Sequence, residues 1–241
     1  MSKRIITHLC NADRVMAGVI QAVGACKLKA NVEGTPFQAL ARAIAHQQLN
    51  GTAANTILTR FVNTVGDGTF PTPERVIAAP ESTFRAAGFS FAKTASLKDL
   101  AAKVLAGVVP DHATLIELED AHIIERLTQV RGIGRWTVEM MLMFQLGRRD
   151  VLPVDDFGVR TGFRLAYGLR KMPPPKVLAA FGERWAPHRS AAAWYLWRAV
   201  ELHRAGTLPE PCERTTLPRI PRRRRKAKLL RKKTGSRRAG Q

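Results

Sequence analysis

Apolar residues along most of the chain recur at intervals of three and four, the spacing that places them on one face of an α-helix. The stretch from Met16 to Val23 shows this spacing clearly, after a helix-capping residue at Asn11 or Asp13. No stretch shows the sustained alternation of apolar and polar residues that marks a half-buried strand. The pattern therefore predicts an all-α fold. Its helices are expected at about residues 16–23, 36–48, 52–65, 97–105, 119–130, 135–147, 156–168, 174–185 and 188–205.

Two local signals refine this prediction. Thr35 followed by Pro36 is a capping residue with proline at the first helical position, which marks the start of a helix. From Trp136 to Leu146 the chain is apolar on nearly every face of the predicted helix. A helix of that kind is expected to lie at the centre of the protein, buried all round.

The charge of the chain points to a polyanionic partner. Its 241 residues include 39 Lys and Arg against 19 Asp and Glu, for a net charge of +20. Such a surplus favours binding to nucleic acid or to an anionic membrane surface. No apolar run approaches the roughly 20 residues that a bilayer crossing needs, and the N-terminus lacks the features of a signal peptide. The expected location is the cytoplasm, close to the nucleoid.

The basic residues are concentrated at the C-terminus. Residues 213–241 contain 13 of the 39 Lys and Arg and a single acid, Glu213. Strong self-repulsion and few apolar side chains predict a disordered basic tail. Such a tail would bind the DNA backbone non-specifically, and a solubilising end without a target is the alternative.

A short glycine-rich turn is the most informative segment. In LTQVRGIGRWTVEM, residues 127–140, the four residues RGIG join two predicted helices. The glycines are expected to supply positive φ and to allow another backbone to approach closely. The amides of Gly132, Gly134 and Arg135 would then face outward at a helix N-terminus, where DNA phosphate binds favourably. Ile133 is expected to fill the hairpin's own core. This is the pattern of a helix-hairpin-helix, although a turn that merely packs two helices has the same composition.

A candidate catalytic group follows the turn. Asp155 and Asp156 begin the next predicted helix, and Asp156 lies 22 residues after Gly134. Adjacent acids at a helix start commonly act as caps, which is one interpretation. The other is that a buried carboxylate there stabilises positive charge on a reacting group.

The order of hairpin, apolar helix, proline-containing loop and aspartate resembles that of the helix-hairpin-helix DNA glycosylase superfamily. Within it, the chain is similar to the alkylation-repair branch, the 3-methyladenine DNA glycosylase II enzymes. The resemblance spans about residues 5–205. Besides the hairpin it rests on FQALARAIAHQQLNGTAA (37–54), GFSFAKTASLKDLA (88–101), LPVDDFGVRTG (152–162) and RWAPHRSAAAWYLWR (184–198).

The resemblance implies a two-lobed helical core over residues 1–212, with the active site between the lobes and the hairpin at about 122–147. Enzymes of this branch can carry an N-terminal β-rich lobe. Because only 36 residues precede the first matching segment, we expect that lobe to be absent. The tail at 213–241 would lie outside the core, and we expect a monomer.

Site residues follow from the same resemblance. Asp156 matches the catalytic aspartate of the family. The base pocket is matched by Trp136, Met140, Phe157 and Trp185, whereas Trp194, Tyr195 and Trp197 are interpreted as core. The DNA backbone would be bound by Gly132, Ile133, Gly134, Arg135 and Thr137. The side chain that fills the gap left by a flipped base would come from Gln47, Gln48, Leu49 or Asn50.

The implied activity is that of a monofunctional DNA glycosylase. It would flip alkylated bases such as 3-methyladenine and 7-methylguanine out of double-stranded DNA and hydrolyse the N-glycosidic bond, leaving an abasic site. Trp136 stands where bifunctional relatives have a Schiff-base lysine, and an indole has no amine nucleophile. Two alternatives remain: a non-catalytic helix-hairpin-helix DNA-binding protein, and a glycosylase for deaminated or oxidised bases.

No cofactor is expected. Cys10, Cys26 and Cys212 are too scattered for a disulfide framework or a metal cluster. Iron–sulfur relatives place four clustered cysteines after the catalytic region, where this chain has only Cys212. Some relatives hold a monovalent cation through the hairpin carbonyls, and the sequence neither supports nor excludes one here.

Overall fold

The computed structural model describes residues 3–31, 33–213 and 215–218. Within those ranges the chain forms helices joined by turns and loops and no strand, which confirms the all-α prediction. The helices are α1 Lys3–Ala12, α2 Arg14–Val23, α3 Pro36–His46, α4 Gly51–Gly66, α5 Pro73–Ala78, α6 Glu81–Ala87, α7 Phe91–Leu105, α8 His112–Glu117, α9 Asp120–Leu127, α10 Arg135–Phe144, α11 Phe157–Ala166, α12 Pro175–Gly182 and α13 Arg189–Arg204. A 3-10 turn at Glu183–Trp185 joins the last two.

Short polar side chains begin many of the helices. Asp13, not Asn11, caps α2, because its Oδ1 accepts a hydrogen bond from the Met16 amide at 3.0 Å. Thr35 caps α3 in a reciprocal capping box, with Pro36 in the first turn as predicted. A side-chain cap satisfies one of the amides that a helix start leaves without a partner.

Four of the helices have no counterpart in the sequence prediction: α1, α5, α6 and α8. Three of these four, α5, α6 and α8, are only six or seven residues long, so they hold too few apolar positions to show a helical period. In α1 the fully buried side chains are Ile5 and Leu9, which form a stripe of only two residues.

Two groups of helices pack around one continuous core, as the predicted two-lobed arrangement requires. In the first group α7 contacts α3, α5 and α6, and α4 contacts α3, α5 and α6. In the second group α13, the last described helix, packs against both α2 and α11. Between the groups lies α10, which contacts α3 and reaches α13 through Phe144, whose ring stacks on Trp197 at a centroid distance of 5.8 Å.

The prediction that α10 is buried all round is wrong. Val138 and Leu142 face the core, but Trp136 is 48% exposed and Phe144 is 39% exposed. Met140, between them, is partly buried. This face is apolar because it lines an open cleft, and a sequence pattern alone does not distinguish that from core packing.

Two glycines let α11 and α13 lie directly against each other. A Cβ at Gly162 would overlap the carbonyl group of Leu196 in α13. At Gly158, one turn earlier, a Cβ would lie 2.8 Å from Cδ1 of Trp197. Since every other side chain would push the helices apart, this pair of glycines fixes where the Trp197 ring sits relative to the start of α11.

The predicted tail is only partly within the described residues. Of its first residues, Thr215 donates a hydrogen bond to the carbonyl of Tyr167 at 3.4 Å, and Leu217 packs against the core. Residues 219–241 lie outside the described ranges, so their predicted disorder stays a prediction. None of the described helices is long and apolar enough to cross a membrane. The three cysteines are free.

Gly162→Ala is expected to destabilise the protein by about 1–3 kcal/mol, because the new methyl group forces α11 away from α13. The matched control is Gly18→Ala in α2, where the nearest atom to an added Cβ is 4.0 Å away. There alanine should stabilise the helix by roughly 0.5–1 kcal/mol. Urea unfolding of both variants measures the difference, and equal midpoints would contradict the close-packing account.

Candidate active site and nucleic-acid interface

The carboxylate of Asp156 is the polar centre of the site. Asp156 caps α11, since its Oδ1 accepts a hydrogen bond from the Val159 amide at 2.7 Å. Its own amide donates to the Pro153 carbonyl at 3.0 Å, which fixes the loop before the helix. The residue is only 9% exposed, whereas its neighbour Asp155 is exposed. Capping and catalysis are therefore compatible roles for Asp156.

Two indole N–H groups complete the environment of this carboxylate. Trp136 Nε1 donates to Oδ2 at 2.7 Å, and Trp197 Nε1 donates to Oδ1 at 2.8 Å. With the Val159 amide, three donors surround a group that can accept about four hydrogen bonds. Hydrogen bonds of this kind stabilise a negative charge and fix the plane of the carboxylate. One acceptor position on Oδ2 stays open to a substrate or a water molecule.

Trp197 is a site residue that the sequence analysis missed. It was assigned to the core with Trp194 and Tyr195, yet its indole is only partly buried and hydrogen-bonds Asp156. The available signal was the spacing of Gly158 and Gly162, four residues apart on α11. That spacing indicates a close helix crossing at the position of the aspartate.

A cleft between α3 and α10 is linked to this carboxylate by Trp136, which lines the cleft and hydrogen-bonds Asp156, although Asp156 is not itself a lining residue. The volume of the cleft is about 1110 Å³, slightly above the roughly 300–1,000 Å³ of small-molecule sites. On one side Trp136, Met140 and Phe144 form an apolar wall from successive turns of α10. On the other side α3 contributes polar side chains, among them Gln38, Arg42 and His46. A flat apolar group with polar edges fits a cleft of this composition.

Of the predicted pocket residues, Trp136 and Met140 line the cleft and Trp185 does not. Trp185 is fully buried, and its Nε1 donates to Asp13 Oδ2 at 3.1 Å. The Tyr167 hydroxyl donates to the same oxygen at 2.6 Å. Placing Trp185 in the pocket wall was wrong, because its indole belongs to this structural network. Phe157 is 73% exposed and follows Asp156 directly, outside the lining of the cleft.

The carboxylate of Asp13, like that of Asp156, accepts a hydrogen bond from an indole, but it is surrounded by buried side chains and not by a cleft. Burial and the carboxylate of Asp13 together raise the pKa of the Tyr167 hydroxyl well above its usual value, which keeps it protonated as a donor. The rings of Phe163, Phe181 and Trp185 pack around Tyr167 and its partner Asp13. This cluster ties the N-terminal end of α2 to α11 and to the 3-10 turn.

The RGIG turn lies between α9 and α10 as predicted, with two corrections. The first is that α9 ends at Leu127, three residues before the predicted end at 130, so the connection spans residues 128–134. Gly132 has φ +79°, and a Cβ there would lie 2.8 Å from the Ser96 hydroxyl of α7. Gly134 has φ −96°, so the positive φ predicted for it is wrong. An added Cβ at Gly134 meets only open space. The fold itself therefore does not require glycine at position 134. The missing side chain would instead allow another molecule to approach the backbone closely.

The amide groups of this turn form a candidate anion site. Neither Gly132 nor Gly134 donates its amide to an acceptor among the described residues, and the first-turn amides of α10 also lack an acceptor within the helix. Ile133 differs: its side chain is buried, and its amide donates to the Val130 carbonyl at 3.0 Å. Free amides with the positive end of a helix dipole suit a phosphate group. Ile133 therefore holds the turn together and leaves anion binding to its neighbours.

Side chains of α10 flank the anion site. The Arg135 guanidinium is mostly exposed and donates through Nε to Glu139 Oε1 at 2.8 Å. Burial raises the pKa of the Glu139 carboxyl, and the pairing with Arg135 partly offsets this. Thr137 is buried and lines the cleft, so its predicted contact with the DNA backbone would use its amide.

The four residues after α3 take distinct places. Gln47 reaches across the cleft, where its Nε2 donates to the Gly132 carbonyl of the RGIG turn at 2.8 Å. Asn50 caps α4 through a 2.8 Å hydrogen bond from the Ala53 amide. Gln48 is exposed with φ +58°, and Leu49 is 40% exposed. Because Gln47 and Asn50 are held by these hydrogen bonds, Gln48 and Leu49 are the two residues at the tip of the turn.

The described residues hold no group of three or more His, Cys, Asp or Glu side chains placed to bind a metal. A cation at the hairpin would depend on backbone carbonyls instead. Two of these already accept hydrogen bonds, at Val130 from the Ile133 amide and at Gly132 from Gln47.

Comparison with known proteins identifies the family of this arrangement. Residues 41–187 match the family model described as HhH-GPD superfamily base excision DNA repair protein. DNA-3-methyladenine glycosylase 1 of Schizosaccharomyces pombe is 41% identical over 81% of this chain and 86% of its own length.

Solved structures agree with that match. The Schizosaccharomyces pombe 3-methyladenine DNA glycosylase in complex with abasic DNA superposes with a TM-score of 0.73 at 40% identity, over 83% of this chain and 98% of that one. A DNA-3-methyladenine glycosidase from Bacillus halodurans gives 0.76 at 33% identity, over 83% and 91% of the two chains. Both proteins are similar to this chain in sequence as well as in fold.

Trp185→Phe is expected to lower the free energy of unfolding by about 1–3 kcal/mol, since the buried Asp13 carboxylate loses a donor. Trp194→Phe is the matched control, because no hydrogen bond of its indole is found among the described residues. Denaturant unfolding of the two variants provides the comparison. A loss at Trp185 no larger than at Trp194 would contradict the network assigned here.

Proposed function

The chain belongs to the HhH-GPD superfamily of base excision DNA repair proteins, and we propose that it excises alkylated purines from duplex DNA by hydrolysing their N-glycosidic bonds. One observation carries this proposal: the Asp156 carboxylate is held by two indoles beside a cleft whose wall is aromatic. The name and bound abasic DNA of the similar yeast enzyme support it.

Access to the bond requires that the base leave the double helix. Flipping costs roughly a few kcal/mol of stacking and pairing, which binding must supply. Free amides at Gly132 and Gly134 would hold a phosphate beside the flipped nucleotide. We assign the gap-filling role to Leu49, because apolar side chains insert between bases and Leu49 is exposed at the tip of its turn.

The pocket explains a preference for alkylated bases. Methylation of a purine at N3 or N7 leaves a positive charge on the ring. A cationic ring is attracted to the face of an indole more strongly than a neutral one. Trp136 offers such a face at the cleft, next to Met140 and Phe144. The lesions we expect are therefore 3-methyladenine and 7-methylguanine.

Asp156 would act on the sugar. As the C1′–N bond stretches, its electron pair moves onto the cationic base, which leaves as a neutral molecule. Positive charge then develops on the sugar, where a fixed carboxylate stabilises it. A water molecule forms the new C1′–O bond and releases one proton to the solvent, so the product is an abasic site. No acid needs to protonate the base, because its alkylation already makes it a cationic leaving group.

The reaction ends at the abasic site. A strand-cleaving mechanism needs an amine to attack C1′ and form a Schiff base. Trp136 points an indole N–H at Asp156 instead, and it acts as a donor only. We therefore infer a monofunctional enzyme.

Two features of the site argue against the alternative functions. A DNA-binding protein without catalysis would have no use for a buried carboxylate that two indoles orient. A glycosylase for deaminated or oxidised bases would act on neutral rings, for which the cation–π preference gives no advantage. Methylated duplex DNA separates these cases, because only the proposed enzyme releases methylated purines from it.

Asp156→Asn is expected to abolish release of 3-methyladenine and 7-methylguanine from methylated duplex DNA, measured by chromatography of the free bases. The amide keeps the shape of the side chain but loses the negative charge. Affinity for duplexes with an abasic-site analogue should stay within about threefold, less than 1 kcal/mol.

Asp155→Asn is the matched control, since it removes a charge from the exposed neighbouring residue. It should release bases at the wild-type rate. Full activity of Asp156→Asn together with loss of base release by Asp155→Asn would show that Asp155, and not Asp156, is the catalytic residue. A wild-type protein that binds methylated DNA but releases no base would exclude the proposed function.

A further inference from the structure

A lysine outside the proposed active site supports the turn that carries Leu49. We propose that Lys93 is a positioning residue, which holds the segment 47–50 in the conformation that enters the duplex. This inference rests on the proposed function, because it concerns how the same enzyme opens its substrate. It gives a role to the GFSFAK segment at 88–93, which neither the catalytic group nor the hairpin explains.

The contacts of Lys93 are specific to the end of α3. Its Nζ donates to the carbonyls of Ala45 and Gln47, both at 2.7 Å. Carbonyls at a helix C-terminus lack intrahelical donors, and a cation there also interacts favourably with the helix dipole. The side chain is partly buried, and this burial lowers the pKa of its ammonium group. One ammonium thus joins the end of the helix to the turn that follows.

The turn needs this support because its conformation is unfavourable on its own. Gln48 has φ +58°, a left-handed conformation that is unfavourable for a residue other than glycine. Leu49 next to it is an apolar side chain exposed to solvent. Neither feature stabilises the free protein. A turn held in this way is ready to insert, so less ordering is required when DNA binds.

The helix of Lys93 also supports the hairpin. On α7, Asp99 Oδ2 accepts a hydrogen bond from the Arg131 amide at 2.7 Å. Ser96, between Lys93 and Asp99, lies against Gly132 so closely that only glycine fits there. The side chain of Gln47 closes the connection with its hydrogen bond to the Gly132 carbonyl.

These contacts fix the distance between the two elements proposed to touch DNA. The hairpin would hold a phosphate, while Leu49 fills the space left by the base. Both must act around one nucleotide, so their separation has to match the DNA. Three side chains spaced by three residues along one helix, Lys93, Ser96 and Asp99, set that separation.

The test compares two duplexes that contain 7-methylguanine, one with cytosine opposite the lesion and one with an abasic-site analogue opposite it. In the second duplex no base pair has to be opened. Lys93→Met, which keeps the chain length and removes the donors, should slow single-turnover excision about tenfold on the paired duplex. On the unpaired duplex the rate should change less than about twofold, which is below 1 kcal/mol.

Lys98→Met is the matched control, since this lysine lies on the same helix but contacts neither the end of α3 nor the turn. Its Nζ donates to the Ile77 carbonyl at 3.4 Å and lies 5.7 Å from the centroid of the Phe84 ring. It removes the same charge and should match wild type on both duplexes. Lys93→Arg, which retains donors for the two carbonyls, should recover part of the loss. If Lys93→Met does not fold by circular dichroism, Lys93→Gln replaces it under the same criterion.

A loss by Lys93→Met that is equal on both duplexes would show a general structural role and overturn the proposal. Wild-type rates on both would overturn it as well. Failure of the proposed function looks different, because the wild-type protein would then release no base from either duplex.

Discussion

The arrangement of the site depends on one carboxylate and the two indoles that hold it. Asp156 begins α11, Trp136 lies in the first turn of α10, and Trp197 lies on α13, so their hydrogen bonds form only where three helices meet. Gly158 and Gly162 make that meeting possible by bringing α13 against the backbone of α11. A buried carboxylate without donors would be strongly destabilising, and here the same donors that satisfy it also orient it.

The rest of this DNA glycosylase places a substrate against that carboxylate. The aromatic face of α10 forms one wall of the cleft, and the end of α3 faces it. The hairpin and the turn at 47–50 lie at the rim, where Gln47 connects them. In the proposed function, phosphate binding, base separation and bond cleavage would occur on these neighbouring elements. The aromatic wall of the cleft would then favour a cationic base over a neutral one.

Much of this was predictable from local sequence. Helical spacing predicted the all-α fold, Thr35 and Pro36 marked the start of α3, and the acid pair after the hairpin marked the start of α11, which Asp156 caps. The tryptophans were harder to assign, since an indole is large, apolar and able to donate, whether it faces a core or a cleft. The structure consequently places Trp185 in the core and Trp197 at the site, the reverse of the prediction. Their partners, Asp13 and Asp156, lie 172 and 41 residues away in sequence, which no local pattern reveals.

The most direct test of this account is the single-turnover excision rate of Trp197→Phe on duplex DNA containing 7-methylguanine. Phenylalanine keeps a ring that can stack on Phe144 but removes the hydrogen bond to Asp156 Oδ1. Loss of a hydrogen bond to a charged group predicts a rate about 10–100-fold lower, with affinity for abasic-analogue DNA unchanged. Excision at the wild-type rate by a folded Trp197→Phe protein would contradict the claim that the indole pair makes Asp156 an effective catalyst.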